Sequence, residues 1–133
     1  MKHAPTIAGA LLGLLFITFG ANFFLQFLPM PADSSPADAP HKLFMGALFP
    51  TGYLAFVKVL EILGGALVAI PKTRNIGLLI LGPIIVNILA YHAFLLKGVG
   101  LFSPMMIGIS ALALFLLWSE RKAWAGLVSR SGN

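Results

Sequence analysis

Four long apolar segments limit what this chain can fold into. They cover residues 7–28, 51–70, 76–96 and 101–118. Only the second segment contains charged side chains, Lys58 and Glu61. A helix needs about 20 predominantly apolar residues to cross the hydrocarbon core of a bilayer. The first three segments meet that length and the fourth nearly does, so the sequence predicts four membrane-spanning helices.

The composition agrees with a lipid environment. Of the 133 residues, 59% are apolar and only 10% are charged, and the mean hydropathy is +0.95. Soluble domains average about 25% charged residues. We therefore predict an all-α fold, a membrane-spanning four-helix bundle, built as a single domain over residues 1–133. The chain has no cysteine, which excludes thiolate metal sites, iron–sulfur clusters and disulfide chemistry carried by this chain alone.

Basic residues are unevenly distributed between the two sides of the predicted membrane. One side holds both termini and the loop after the second span, and it carries Lys2, Lys72, Arg74, Arg121, Lys122 and Arg130. The opposite side carries only Lys42 and Lys97. Because basic residues near span ends are retained in the cytoplasm, we predict that both termini are cytoplasmic. The net charge of +5 then reflects topology and contact with anionic lipid, and no nucleic-acid partner is predicted.

The segment between the first two spans differs from the other loops. Residues 29–42 contain four prolines and two aspartates, which predicts an exposed, partly extended outer loop. Residues 41–49 then predict a short helix that ends before Pro50. Joined to the second span, this helix would be too long for one crossing. We therefore predict that it lies along the outer membrane surface or re-enters the membrane shallowly.

Polar side chains inside three of the spans give the candidate ligand-binding residues. A charge at the bilayer centre costs about 2.5–3.5 kcal/mol, so such residues pair, face the bundle interior or mark a functional site. At about 1.5 Å rise per residue, most of the set lies between roughly 6 and 15 Å from the outer span ends. This matching depth favours one shared pocket. The candidates are Asn22, Tyr53, Lys58, Glu61, Asn87, Tyr91 and His92.

A structural role stays open for these residues. Lys58 and Glu61, three positions apart on one helix, could form a buried ion pair that only fixes packing. Asn22 and Asn87 could serve as hydrogen-bonding groups between helices. No catalytic residue and no metal site is predicted.

Several stretches resemble the DoxX family of small bacterial membrane proteins. They are "GLLFITFGANFFLQF", "TGYLAFVKVLEILGGALVAI", "LGPIIVNILAYHAFL" and "LLWSERKAW", which together extend over nearly the whole chain. The resemblance implies four membrane helices in a bacterial inner membrane. It also implies a relation to DoxD-like subunits of a thiosulfate:quinone oxidoreductase, without implying that this chain has that activity.

Three classes of function stay open. The first is a subunit or partner of a membrane redox system, with an outer-facing polar pocket for a small, partly apolar ligand such as a quinone. In that class the chain is at most a subunit of a quinone-linked oxidoreductase. The second is a non-catalytic assembly or stabilising partner in the membrane, and the third is a carrier for a proton or small solute. The expected partners are the lipid bilayer and either a protein of a redox complex or further copies of this chain.

Haem is not expected as a cofactor. Only one histidine, His92, lies in a predicted span, whereas a bis-histidine haem needs two ligands.

Overall fold

The computed structural model describes residues 3–28 and 33–129, and these residues form six α-helices. Their bounds are Ala4–Leu25 (α1), Pro40–Leu48 (α2), Tyr53–Ala69 (α3), Arg74–Ala90 (α4), Pro104–Ser119 (α5) and Arg121–Val128 (α6). A short 3₁₀ turn, Pro71–Thr73, precedes α4, and a π-helical turn, Tyr91–Leu95, follows it. The described residues contain no β-strand. Lys2, Arg130 and the first part of the proline-rich loop, all used in the sequence predictions, lie outside the described residues.

Glycines bring α1 and α3 together as antiparallel neighbours. A Cβ built on Gly65 of α3 would lie 2.8 Å from the carbonyl oxygen of Gly13 on α1. Toward one end of this seam Gly9 faces Val68, and toward the other end Gly20 faces Ile62. Side chains at these glycines would push the backbones apart, so small residues are required for the close approach.

The remaining long helices pack on this pair. Gly64 of α3 faces Leu81 of α4, and Gly77 of α4 faces Val68, so α4 also runs antiparallel to α3. Helix α5 packs mainly on α1, with a smaller contact to α4. The shared apolar core is formed by Ala8, Leu12, Phe16, Val68, Leu78, Leu81, Ile85, Ile109, Ala113 and Leu116.

The long helices share two ends, the Asn22 end and the Arg74 end. The Asn22 end is where α1 and α4 finish and α3 and α5 begin, and the Arg74 end is the opposite one. At the Asn22 end α2 meets α3 at 83°, through a corner at Gly52, whose φ is +82°. Such a φ favours glycine because a Cβ clashes in the left-handed region. The short helix predicted before Pro50 is thus confirmed as α2, and it lies across the direction of α3.

The helices are apolar enough for a membrane. Two continuous helical stretches, Ala4–Leu25 and Pro71–Leu95, are long enough to cross one, and the count rises to four if each bent pair forms one span. The bent pairs are α2 with α3 and α5 with α6, which meet at 83° and 69°. Since helices are the only regular secondary structure among the described residues, the predicted all-α fold is confirmed. The predicted span 7–28 has the same length as α1 but extends three residues past its end at Leu25, because Gln26 takes a left-handed conformation and ends the helix.

Candidate functional site at the Asn22 end

The charged pair within α3 is present as a contact. The Lys58 Nζ lies 3.4 Å from both carboxylate oxygens of Glu61. The Glu61 side chain is 5% exposed, whereas the Lys58 side chain is 24% exposed. The carboxylate is therefore enclosed by protein, and the ammonium group connects it to the surface.

Asn22 lies on α1 near this pair. Its side chain is buried, and its Oδ1 accepts a hydrogen bond from the Leu28 backbone N–H at 2.7 Å. Its backbone oxygen accepts from the N–H of Gln26. Asn22 thus holds residues 26–28 against the end of α1, which gives its side-chain amide a clear structural role.

A cleft of about 550 Å³ opens between the end of α1, the corner before α3 and the Lys58 side chain. It is lined by Phe19, Asn22, Phe23, Gln26, Leu28, Phe49 and Lys58. Phe23 and Phe49 form an edge-on aromatic pair with ring centroids 5.6 Å apart. The cleft combines aromatic walls with one ammonium group and two amides. Such a combination suits a small ligand that is mostly apolar and carries a hydrogen-bond acceptor.

Tyr91 and His92 form a second group, on the π-helical turn after α4. The His92 Nδ1 lies 2.8 Å from the Ile88 carbonyl oxygen and donates to it. The Tyr91 and His92 rings meet edge-on with their centroids 5.5 Å apart. The Tyr91 ring also packs against Phe44 of α2, with ring centroids 5.9 Å apart. π-Helical turns are frequent at functional sites. Neither residue lines the cleft beside Lys58.

The two other predicted site residues point outward. Tyr53 is 58% exposed at the start of α3. Asn87 is exposed on α4, where its Nδ2 donates to the Pro83 carbonyl oxygen at 3.2 Å. The structure therefore brings together Asn22, Lys58 and Glu61, groups Tyr91 with His92, and leaves Tyr53 and Asn87 on the surface.

The loop before α2 is fastened by Asp33. Its carboxylate accepts hydrogen bonds from the Ser35 hydroxyl and backbone N–H, and it lies 2.7 Å from the His41 Nε2. The Lys42 Nζ donates to the Asp33 and Ser35 carbonyl oxygens. The hydrogen bonds from Ser35, followed by the contact with His41, hold the pKa of Asp33 well below its usual range. This cluster fixes the start of α2 beside the Asn22 end.

Sequence reasoning missed two features of the molecule. The aromatic walls of the cleft, Phe19, Phe23 and Phe49, were not among the predicted residues. Arg74, predicted only as a basic residue of a loop, is 5% exposed. Its Nε donates to the Val68 carbonyl oxygen at 3.2 Å, and its Nη2 has no hydrogen-bond partner among the described residues.

Comparisons of the chain with protein-family models, with curated proteins and with solved structures find no match. The resemblance to the DoxX family therefore stays a prediction. Within residues 3–28 and 33–129, no three side chains of the metal-ligating types converge.

Proposed function

We propose that this chain is a four-crossing membrane protein of the DoxX type, in which the cleft at the Asn22 end binds a small, partly apolar ligand. A quinone is the first candidate ligand, and a bacterial membrane redox system is the setting. The proposal includes a four-helix bundle in the inner membrane with both termini in the cytoplasm. The Asn22 end then faces outward.

One observation carries this proposal. The Lys58 ammonium group lies between the enclosed carboxylate of Glu61 and the cleft with aromatic walls. A quinone carbonyl could accept a hydrogen bond from Lys58 while its ring packs against Phe23 and Phe49. A buried ion pair that served packing alone would need no opening at its ammonium end.

A binding measurement tests the proposed ligand. A short-chain benzoquinone is titrated into the full chain in mild detergent, with calorimetry and thermal unfolding as readouts. Lys58→Met should weaken binding by about tenfold or more, because a charge-assisted hydrogen bond is lost. Lys97→Met is the matched control, since Lys97 is an exposed lysine near the same end that does not line the cleft.

A second variant keeps this test decisive if Lys58→Met is poorly folded. Phe49→Ala removes one aromatic wall without touching the ion pair, and it should also weaken quinone binding. Equal binding to the wild type and both variants would overturn the proposed ligand site. Mass spectrometry of whatever co-purifies with the wild type then names the ligand directly.

The orientation has its own test. Because the chain has no cysteine, Ser34→Cys and Ser129→Cys each give a single thiol on an exposed residue. In intact cells, an impermeant maleimide should label the cysteine at position 34 and leave the one at position 129 unlabelled. The reverse pattern would contradict the outward-facing cleft.

A second candidate function is favoured by Asn87. Its amide is exposed on an apolar helix face and makes a hydrogen bond only within its own helix among the described residues. Polar groups on the surface of membrane helices promote association with other helices. An assembly or stabilising partner without its own chemistry would use this face. A native complex that is lost with Asn87→Leu but kept with Lys58→Met would favour this function.

A further inference from the structure

A second cleft lies at the Arg74 end, between the first turn of α1 and the last turn of α5. It has a volume of about 500 Å³ and is lined by Ala4, Pro5, Phe115, Trp118, Ser119 and Arg121. It shares no residue with the cleft beside Lys58. The lining joins one cationic group to a largely apolar wall.

Arg121 is held at this cleft by the end of α5. Its Nη1 donates to the Trp118 carbonyl oxygen at 2.9 Å, and its guanidinium carbon lies 4.2 Å from the centre of the Trp118 ring. No carboxylate of the described residues lies within 4 Å of it, although Glu120 is its neighbour in sequence. The guanidinium has five N–H donors, and the bond to Trp118 is the one it makes within the described part of the chain. Arg121 is therefore positioned for an anion that the described side chains do not supply.

The wall beside Arg121 suits an acyl chain. Phe115 and the exposed ring of Trp118 lie on the cleft, and the exposed side chain of Leu114 lies near them on α5. A free phosphate ion would have no contact with such a wall. An amphiphile with an anionic head and a hydrocarbon tail would use both parts of the cleft.

Helix α6 places this cleft at the level of lipid headgroups. It turns 69° away from α5, so that it lies across the direction of the long helices. Trp124 packs against the apolar core, whereas Lys122 is exposed. A short helix of this kind at the end of a span is typical of the membrane interface, where basic residues attract anionic lipid.

We infer that the cleft at the Arg74 end binds an anionic phospholipid of the adjacent leaflet. The phosphate lies at the Arg121 guanidinium, and one acyl chain follows Phe115 and Trp118. This site goes beyond the proposed ligand cleft and depends only on the membrane placement of the chain.

Fluorescence quenching tests the inference on the full chain. The chain has two tryptophans, so Trp124→Phe leaves Trp118 as the single reporter. The protein is placed in phosphatidylcholine nanodiscs that contain a small fraction of either phosphatidylglycerol or phosphatidylcholine with brominated acyl chains. We expect brominated phosphatidylglycerol to reach half-maximal quenching at a mole fraction about fivefold lower than brominated phosphatidylcholine.

Matched variants assign the effect to this cleft. Arg121→Gln should bring the two lipids within about twofold of each other, because the cationic group is removed. Lys97→Gln, at the opposite end, should leave the fivefold preference unchanged. If Arg121→Gln fails to fold, Ala4→Leu keeps every charge, narrows the cleft and should weaken the preference by itself.

Three outcomes would overturn the inference. One is equal quenching of the wild-type cleft by both lipids, and another is a preference that survives both Arg121→Gln and Ala4→Leu. The third is loss of the preference when millimolar inorganic phosphate is added, which would indicate a free-phosphate site. None of these readouts involves quinone binding, so a failure here is distinct from a failure of the proposed function.

Discussion

Two charged residues are buried in different parts of the molecule, Glu61 in the middle of α3 and Arg74 at the start of α4, and they are held in different ways. Counted over the whole residue, backbone included, Glu61 is 4% exposed and Arg74 is 5% exposed. Glu61 has a cationic partner, Lys58, which reaches an open cleft. Arg74 has a backbone carbonyl as its partner, at the last turn of α3, and lies against Gly9 of α1.

Burial of a charge therefore does not by itself mark a ligand site. The carbonyl groups at the end of a helix carry partial negative charge, so a cation there is stabilised without any ligand. Arg74 is therefore a structural cap that joins α1, α3 and α4. The Lys58 and Glu61 pair has the same degree of burial at its acidic end, but it also has a route to the surface. Four sets of variants, in order of falling expected effect, test how each charged or polar group is held.

The largest effect is expected at the ion pair. Lys58→Met leaves the enclosed Glu61 carboxylate without its cation, which should cost about 3–5 kcal/mol of unfolding free energy. Adding Glu61→Gln removes the unpaired charge, so the double variant should be more stable than Lys58→Met alone. Chemical unfolding in detergent measures both changes. Wild-type stability in Lys58→Met would show that water already reaches the carboxylate.

A smaller loss is expected at the cap. Arg74→Met removes the hydrogen bond to the Val68 carbonyl and should cost about 1.5–3 kcal/mol, the usual range for a hydrogen bond to a charged group. Quinone binding by the folded fraction should stay unchanged, because Arg74 does not line the cleft beside Lys58. Loss of that binding in a well-folded Arg74→Met protein would remove the contrast between the two charges.

Asn22→Leu tests whether the end of α1 beside the cleft depends on the hydrogen bond between the Asn22 side chain and the Leu28 backbone. The variant removes the hydrogen bond from the Leu28 N–H to the side-chain oxygen and should cost about 1 kcal/mol. Amide hydrogen exchange should rise at Leu28, while the ion pair within α3 is retained. Unchanged exchange at Leu28 would show that Asn22 does not hold residues 26–28 in solution.

The smallest effect concerns an exposed charge. The pKa of Asp33 is lowered in the folded chain, so its hydrogen bonds stabilise the start of α2. This stabilisation is complete at pH values above the unfolded pKa, near 3.8. This contribution is then lost as the pH falls from that value through the lowered pKa. Hydrogen exchange at the first turn of α2 should therefore keep its protection from neutral pH down to the ordinary aspartate range. Loss of this protection at a pH well above that range would show that another group holds the start of α2. Asp33→Asn, which has no ionisable group at position 33, is the matched variant.

The helices and part of the candidate site could be predicted from the sequence alone. Length and apolar composition locate the long helices to within a few residues, and Pro50 marks the end of α2. The Lys58 and Glu61 contact follows from their spacing on one helix, whereas α4 is apolar on nearly every side. On such a helix the periodicity that separates a buried face from an exposed one is weak. The outward position of Asn87 therefore depends on packing that the sequence does not display.

Arg74 and the cleft walls could not be predicted for related reasons. Arg74 follows a proline and a lysine in a short basic turn, a setting typical of exposed residues. It becomes buried because Gly9 of a distant helix leaves room for the guanidinium, and only the packing of α1 shows this. In sequence, nothing distinguishes Phe19, Phe23 and Phe49 from the phenylalanines that lie exposed on the helices, such as Phe24 and Phe56. Their role comes from the corner that brings Phe49 against α1.

The corner at Gly52 also sets how thick a membrane this protein fits. It limits the straight part of α3 to 17 residues, and α5 has only 16. At about 1.5 Å per residue these helices extend roughly 25 Å, which is less than the roughly 30 Å of hydrocarbon in a typical bilayer. In the proposed topology the bilayer must therefore thin beside α3 and α5, while α1, with 22 residues, matches it without strain. A mismatch at two of the four long helices favours insertion into thin bilayers.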